Sequence, residues 1–422
     1  MSETPLVPPR LKNDCFAMPQ GVDWVKVDEA LARLRDILSP VTEVETLPTA
    51  DARGRVLAED CVARRSNPPA ANSAVDGYGF AHAATGDGVQ NLPLVDGRAA
   101  AGQAYAGEVP AGSAIRILTG AILPPGVDTV VLEEDCATDG NRVAFDGPIK
   151  PNANTRKAGE DVAKGEVALE KGHVIRPPDI ALLTALGIAE VYVYRPLRVG
   201  VLSTGDELLS DPMAEGGADK IYDANRPMLL SLIESWGLDA VDLGHALDDE
   251  AAIRQRLDDG AAKVDVILTS GGASAGDEDH VSRLLKSTGS LSSWRIALKP
   301  GRPLALALWQ GVPVFGFPGN PVAAFVCALV FARPALSLLG GAGWREPTSF
   351  VVAAAFSKNK KPGRREYLRA RLNKDGAAEV FRSEGSGRIS GLSWAEGLVE
   401  LPDEAINVTP GVPVKFLPYS GF

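Results

Sequence analysis

"VDVILTSGGASAGDEDHVSRLLKSTG", Val264 to Gly289, runs from an apolar segment through a glycine-rich loop into a polar, helix-like stretch. Val264–Ser270 predicts a buried strand and Asp277–Gly289 a helix. The loop between them has the glycines of a phosphate cradle but lacks the lysine of the Walker pattern. Gly271, Gly272 and Gly276 would let backbone N–H groups approach an oxyanion at a helix N-terminus. Asp277, Glu278 and Asp279 stand where the lysine would be. The first turn of a helix also favours carboxylates, so capping and cation binding are both open to these three.

The same texture extends to either side. "LRVGVLST" and "DAVDLGHAL" predict strands, with helices in "NRPMLLSLIESWG" and "DDEAAIRQRLDDGAAK". "WRIALKPG", "PLALALW" and "VPVFGFPG" follow as strands, then "NPVAAFVCALVFARPALSLLG" as a long buried helix. Strands alternating with helices predict a mostly parallel sheet covered on both faces. Ligands of such sheets bind beyond the carboxyl ends of the strands. Those ends carry Ser203-Thr204-Gly205-Asp206-Glu207, Asp248-Asp249, Thr269 to Asp279, Lys299-Pro300-Gly301-Arg302 and Pro318-Gly319-Asn320-Pro321. Glu207, Asp248 and Asp279 on adjoining ends would repel one another unless a cation lay between them, and magnesium shares oxygen ligands with phosphates. Lys299 and Arg302 would supply positive charge to an anionic group, or form a solvated turn.

Elsewhere the chain is strand-like. "VDEALARLRDIL" predicts a first helix with Asp28 as N-cap; from Val41 to about Val193, short apolar runs alternate with turn residues around a short helix at Pro178–Leu186. After Trp344, "SFVVAAAF", "REYLRARL" and "GVPVKFLPY" predict a small β-barrel or sandwich. The 422 residues suffice for two to four domains, and the net charge of −11 argues against a nucleic-acid or anionic-membrane binder. Four scattered cysteines, Cys15, Cys61, Cys136 and Cys327, fit a reducing compartment. No signal peptide and no segment long and apolar enough to span a membrane is expected, so the predicted location is cytoplasmic.

Three further motifs carry polar residues in turns: "NSAVDGYGF" (Asp76), "RILTGAILPPGVDTVVLEED" (Thr119) and "NANTRKAGED" (Arg156, Lys157, Glu160, Asp161). Taken alone, each fits an Asx-turn or a solvated loop. Together with "STGDEL", "YDANR", "TSGGAS.G..D", "LKPGRP" and "GFPGNPVAA", in this order, they resemble the molybdopterin molybdenumtransferases: the bacterial MoeA proteins and the E domain of gephyrin. The resemblance runs from about Val22 to the C-terminus.

It implies an elongated N-terminal module (22–50 and 150–193), an inserted β-rich lobe (51–149), an α/β molybdopterin-binding domain (194–343) and a C-terminal β-barrel (344–422). It implies a homodimer, with other proteins of molybdenum-cofactor synthesis as further partners. The implied reaction converts adenylylated molybdopterin and molybdate to molybdenum cofactor and AMP, with magnesium. Glu207, Asp249 and Asp279 match the family's acidic residues in the α/β domain and are the implied metal ligands, while Asp76 and Asp161 match those of the partner lobe, the implied active cleft joining the β lobe of one subunit to the α/β domain of the other. Thr119 and Arg156 would lie near the phosphates, and Ser203, Thr204, Gly205, Ser270, Gly271, Gly272, Ser274 and Asn320 would line the pterin-phosphate site. Lys299, Arg369 and Ser386, beside Pro300, Gly301, Arg302, Pro318 and Pro321, fit the implied molybdate pocket, since a tetrahedral dianion needs basic and hydroxyl groups. The dithiolene sulfurs supply soft ligands for molybdenum, so no cysteine is required. The chain departs from the family pattern with Arg295 and Arg302 where lysines are usual, with Arg156-Lys157-Ala158 in place of an arginine-rich run, and with "NSAVDGYG". The other readings are a molybdopterin adenylyltransferase, which would lack the β lobe and the barrel, and a gephyrin-like scaffold, which would need a long disordered linker.

Overall fold

In a computed structural model, residues 24–271, 280–287, 292–301 and 303–422 are described. They form two units: one holds the chain up to Val41, Pro196–Leu339 and Gly343–Phe422, the other Thr42–Arg195 and Gly340–Ala342.

The first unit is built on the predicted apolar runs. Its central sheet contains β1 (Arg198–Thr204), β2 (Asp239–Ala246), β3 (Val266–Ser270), β4 (Ser292–Arg295), β6 (Pro303–Trp309) and β7 (Val312–Phe317), in the order β2-β1-β3-β7-β6-β4. β2, β1, β3 and β7 are parallel, whereas β6 and β4 extend the sheet antiparallel, so the sheet is mixed. One face packs Val199, Val201, Leu268 and Phe315 against Leu229, Ile233, Val326 and Leu336 of helices. The other packs Leu202, Ile267 and Val314 against Ile253, Leu257, Val281 and Leu284. Each such side chain contributes about 1.5–3 kcal/mol by leaving water.

The helix Val27–Ile37 sends Val27, Ala30 and Leu34 into the first of these cores. Its N-cap is Lys26, and Asp28 already lies inside the first turn, so the capping role expected for Asp28 is not observed. Asp28 instead accepts from both terminal nitrogens of Arg365, at 2.6 and 2.8 Å.

Leu298–Lys299 (β5) leaves the central sheet, contrary to its expected place at that rim. It pairs parallel with Arg365–Glu366 of β10 (Arg365–Leu372). The C-terminal sheet orders β5-β10-β12-β14-β8, where β8 is Phe350–Ala353, β12 Gly397–Leu401 and β14 Pro413–Pro418; β11 (Ala378–Val380) adds to β10, and β9 (Lys358–Lys360) pairs with β13 (Ile406–Val408). An isolated bridge from Ala354 to Ala378 returns the chain after β8 to β11.

The helical run Pro321–Leu339 has 19 residues and is long and apolar enough to cross a membrane, contrary to the expectation that no segment would be; it is mostly buried in the protein core. Apolarity here reflects core packing on all sides.

The second unit contains a six-stranded sheet ordered Thr129–Leu132, Gly77–Phe80, Ala114–Ile117, Gly88–Ala99, Arg142–Gly147 and Ala137–Thr138. A three-stranded sheet, Val44–Pro48, Glu190–Tyr194 and Val56–Leu57, lies with the helix Pro177–Ala185.

Candidate functional site

At the carboxyl rim of the central sheet, β1 ends in Ser203 and Thr204 and β3 in Thr269 and Ser270, all buried. Buried hydroxyls are normally hydrogen-bonded. Yet Ser203 Oγ, Thr204 Oγ1, Thr269 Oγ1 and Asn225 Oδ1 have no hydrogen-bond partner among the described residues. Asn225 is otherwise well fixed: its Nδ2 donates to Ser270 Oγ at 2.8 Å and to the Gly319 carbonyl at 2.7 Å, tying β3 to the Pro318–Pro321 turn. Gly271 N–H donates to the Phe317 carbonyl at 3.3 Å, and Gly205 N–H to that of Ala246, also at 3.3 Å. The ends of β1, β2, β3 and β7 are therefore laced into one polar rim.

Among the carboxylates of that rim, Asp249 caps the helix Glu250–Ala261, its Oδ1 accepting from Ala252 N–H at 2.8 Å. Asp206 Oδ1 accepts from Asp248 N–H at 2.9 Å. Glu207 is exposed beside Gly205. Among the described residues, no three His, Cys, Asp or Glu side chains converge as metal ligands. Asp279, the third implied ligand, lies outside the described residues, as do Gly272, Ser274 and Arg302. Glu207 and Asp249 each have oxygen to offer a hard cation, but the described residues alone do not assemble its site.

Lys299 marks a second locus, carried by β5 into the C-terminal sheet. A cavity of about 210 Å³ is lined by Lys299, Pro300, Lys358, Arg369, Ser383 and Glu384 among others. A liquid water occupies about 30 Å³, so a five-atom oxyanion has room. Lys299 Nζ lies 2.6 Å from Glu384 Oε2 and 3.6 Å from Glu366 Oε1. Lys358 Nζ lies 3.0 Å from Glu366 Oε2 and also bonds Glu384 Oε1. Burial opposes the charge on Lys358, but its hydrogen bond to Glu384 and its pairing with Glu366 outweigh that and hold its ammonium above the usual lysine range. Burial likewise opposes ionisation of Glu384, and the two lysines overcome it, holding its carboxyl below the usual range.

Arg369 is buried and donates to the carbonyls of Arg388 at 2.6 Å, Gly385 at 3.2 Å and Ser383. Ser386, Pro318 and Pro321, expected beside this pocket, are not among its lining residues, although the Ser386 carbonyl accepts from Val322 N–H at 3.1 Å. Gly301, φ 100°, faces Cys327 Sγ rather than the cavity: a Cβ there would stand 3.3 Å from the sulfur. Lys358, Glu366 and Glu384 were missed by sequence reasoning. Glu366 stands in the quoted "REYLRARL" and Glu384 in "FRSEGSGR", but nothing in a linear spacing joins them to Lys299.

In the other unit, three motifs that are separate in sequence lie on one spine, residues 67–76. Thr155–Arg156 pairs with Asn72–Ser73, Ala74 N–H reaches the Asn154 carbonyl, and Gly120 N–H reaches that of Ser73. Asp161 N–H donates to the Asn67 carbonyl at 3.1 Å, and Asn67 Nδ2 to Asp161 Oδ2 at 2.8 Å. Asp76 Oδ1 accepts from both the hydroxyl and the N–H of Thr119 at 2.6 Å. The hydroxyl bond, followed by the N–H bond, holds the Asp76 carboxyl below the usual range. Asp76, Thr119, Arg156 and Asp161 are thus exposed side chains on one connected set of loops.

A larger cavity, about 650 Å³, is lined by the helix Val27–Ile37, β10, β12 and β14. Of the arginines that line it, Arg365 is paired with Asp28 and Asp403, and no candidate site residue lines the cavity.

Three family descriptions match the chain: MoeA N-terminal region (domain I and II) at residues 25–187, probable molybdopterin binding domain at 200–338, and MoeA C-terminal region (domain IV) at 351–419. A molybdopterin molybdenumtransferase of Haemophilus influenzae is 36% identical over 403 residues, covering 93% of this chain and 98% of its own. Molybdopterin molybdenumtransferase 2 of Mycobacterium tuberculosis is 34% identical over 88% of this chain and 94% of its own. The crystal structure of the molybdopterin biosynthesis MoeA protein of Pyrococcus horikoshii OT3 superposes with a TM-score of 0.81 at 31% identity, over 94% of this chain and 100% of its own.

Proposed function

The chain belongs to the MoeA family of molybdopterin molybdenumtransferases, and we propose that it inserts molybdenum from molybdate into adenylylated molybdopterin, releasing AMP. It is a transferase of molybdenum-cofactor biosynthesis. The observation that carries the finer reading is the small cavity where Lys299, Lys358, Arg369 and Arg382 gather. Four cations around room for one tetrahedral oxyanion suit molybdate. The buried, unpartnered hydroxyls of Ser203, Thr204 and Thr269 support the adjoining rim as the pterin-phosphate site, because a polar substrate would supply the missing hydrogen bonds.

In this reading Gly205, Ser270, Gly271 and Asn320 shape the rim, while Asp76, Thr119, Arg156 and Asp161 serve the adenylate's phosphates. Magnesium would be held by Glu207 and Asp249 together with Asp279, and would supply charge neutralisation at the pyrophosphate. This chain's own part is to hold the anions with fixed donors and to keep the reacting groups in register. We further assign the protein to the cytoplasm as a homodimer, and read the Ala354–Ala378 bridge as closing a C-terminal barrel. An adenylyltransferase reading leaves the matched regions 25–187 and 351–419 without a role. The deciding experiment incubates the purified chain with adenylylated molybdopterin, magnesium and graded molybdate. Molybdate-dependent release of AMP is expected, and AMP release indifferent to molybdate would overturn the proposal.

A further inference from the structure

The cationic cavity already contains an anion of its own. Glu384 bridges Lys299 and Lys358 with both carboxylate oxygens, so the donors an oxyanion would need are engaged by a side chain. Lys299, Lys358, Arg369 and Arg382 line the cavity as cations, and Glu384 is the carboxylate among its lining residues, with Glu366 beside the two lysines. An oxyanion seated on Lys299 and Lys358 therefore competes with Glu384 for the same two ammonium groups. Were Glu384 to keep both while the dianion bound, like charges would be crowded into a half-buried space, where they disfavour one another strongly.

Glu366 is not the residue to leave. It lies within β10, paired to Lys299 on one side and Leu401 on the other, and its side chain is only 11% exposed. Glu384 sits in the loop between β11 and the helix Ser390–Trp394, and its side chain is 44% exposed. The loop backbone on both sides of it is fastened by Arg369 to the carbonyls of Ser383 and Gly385. Rotation about the Glu384 side-chain bonds therefore suffices to free the two ammonium groups, with no movement of the main chain.

We propose that Glu384 is a displaceable internal counter-ion, which holds Lys299 and Lys358 in place and must swing outward for the oxyanion to bind, thereby setting the oxyanion affinity of the site. This rests on the molybdate reading of the cavity. Lys358 becomes, with it, an oxyanion-binding residue beside Lys299.

The test is titration calorimetry of the full-length chain with sodium molybdate at fixed ionic strength, for the wild type and for Glu384→Gln, Glu384→Ala, Lys299→Gln and Lys358→Gln. Removing the competing charge is expected to lower the molybdate Kd about tenfold in both Glu384 variants, while both lysine variants raise it at least as much. The direction matters, because loosening the loop alone would weaken binding. Unchanged or weaker binding by both Glu384 variants, with binding still lost in Lys299→Gln, overturns the counter-ion role and leaves the pocket standing. Full molybdate binding by Lys299→Gln overturns the pocket reading, and the role of Glu384 falls with it.

Discussion

Gly271 and Thr204 approach so closely across the ends of β3 and β1 that a Cβ on residue 271 would stand 2.4 Å from the Thr204 carbonyl oxygen. Gly271 also has φ 96°, in the region side chains avoid. Backbone contact and backbone conformation thus independently require glycine at the first position of the glycine-rich loop.

Gly271→Ala should therefore do more harm than an ordinary left-handed glycine. Gly237→Ala is the control: φ is 75° there and a Cβ meets nothing within 4 Å, so only about 1–2 kcal/mol of conformational cost applies. Gly271→Ala must additionally push β1 and β3 apart, and its thermal midpoint should fall clearly below that of Gly237→Ala. Equal midpoints would mean that the rim yields easily.

Arg369→Lys should fail as a conservative change. The guanidinium reaches three carbonyls, of Ser383, Gly385 and Arg388, while stacking over the Phe381 ring at 5.0 Å. A lysine ammonium cannot span that fork. Losing two or more charge-assisted bonds should lower stability by about 2–3 kcal/mol and weaken molybdate binding at least tenfold. Urea unfolding and calorimetry report the two effects separately.

Asp179 ties stability to acid pH in the second unit. Its buried carboxylate accepts from Arg176 N–H at 2.8 Å and Arg176 Nε at 3.1 Å, and contacts His173 Nε2 at 2.7 Å. The Arg176 side chain above all, then His173 and the Arg176 N–H, hold it well below the usual carboxylate range despite burial. Because the folded pKa is depressed, the stabilisation is present above the unfolded value of about 4 and is lost as pH falls through the folded one. Asp179→Asn should cost about 2 kcal/mol at pH 7, and the gap to wild type should shrink progressively below about pH 4. A gap that does not change with pH would contradict this.

How far the sequence carried this picture depends on how local each cause is. The strands β1, β3 and β7 were legible because buried parallel strands are continuous apolar runs, and the run Pro321–Leu339 because it is apolar all round. The partner of Leu298–Lys299 was not legible: two residues before a Pro-Gly pair carry no mark of the strand they join, and they join β10 rather than the α/β sheet. The cluster of Lys299, Lys358, Glu366 and Glu384 was hidden for the same reason, since the pairing of Lys299 with Glu366 across strands and a loop that carries Glu384 bring it together. In contrast, the hydrogen bond from Thr119 to Asp76 joins two motifs that had both been singled out, but as unconnected turns.

Asp249 is where capping and metal binding can be separated. Its Oδ1 caps the helix Glu250–Ala261 through Ala252 N–H, and Oδ2 has no such duty among the contacts described. Serine is as good a cap as aspartate but a poor magnesium ligand, whereas alanine is neither. If Asp249 serves only the helix, Asp249→Ser should keep both stability and turnover, and Asp249→Ala should lose about 1 kcal/mol of stability. The proposed metal role predicts a different pattern: Asp249→Ser keeps the thermal midpoint of the wild type, yet its AMP release needs much more magnesium for half-maximal rate. Magnesium titration of AMP release in the serine variant decides the matter, because its helix cap is intact and any shift in metal demand must come from the lost carboxylate.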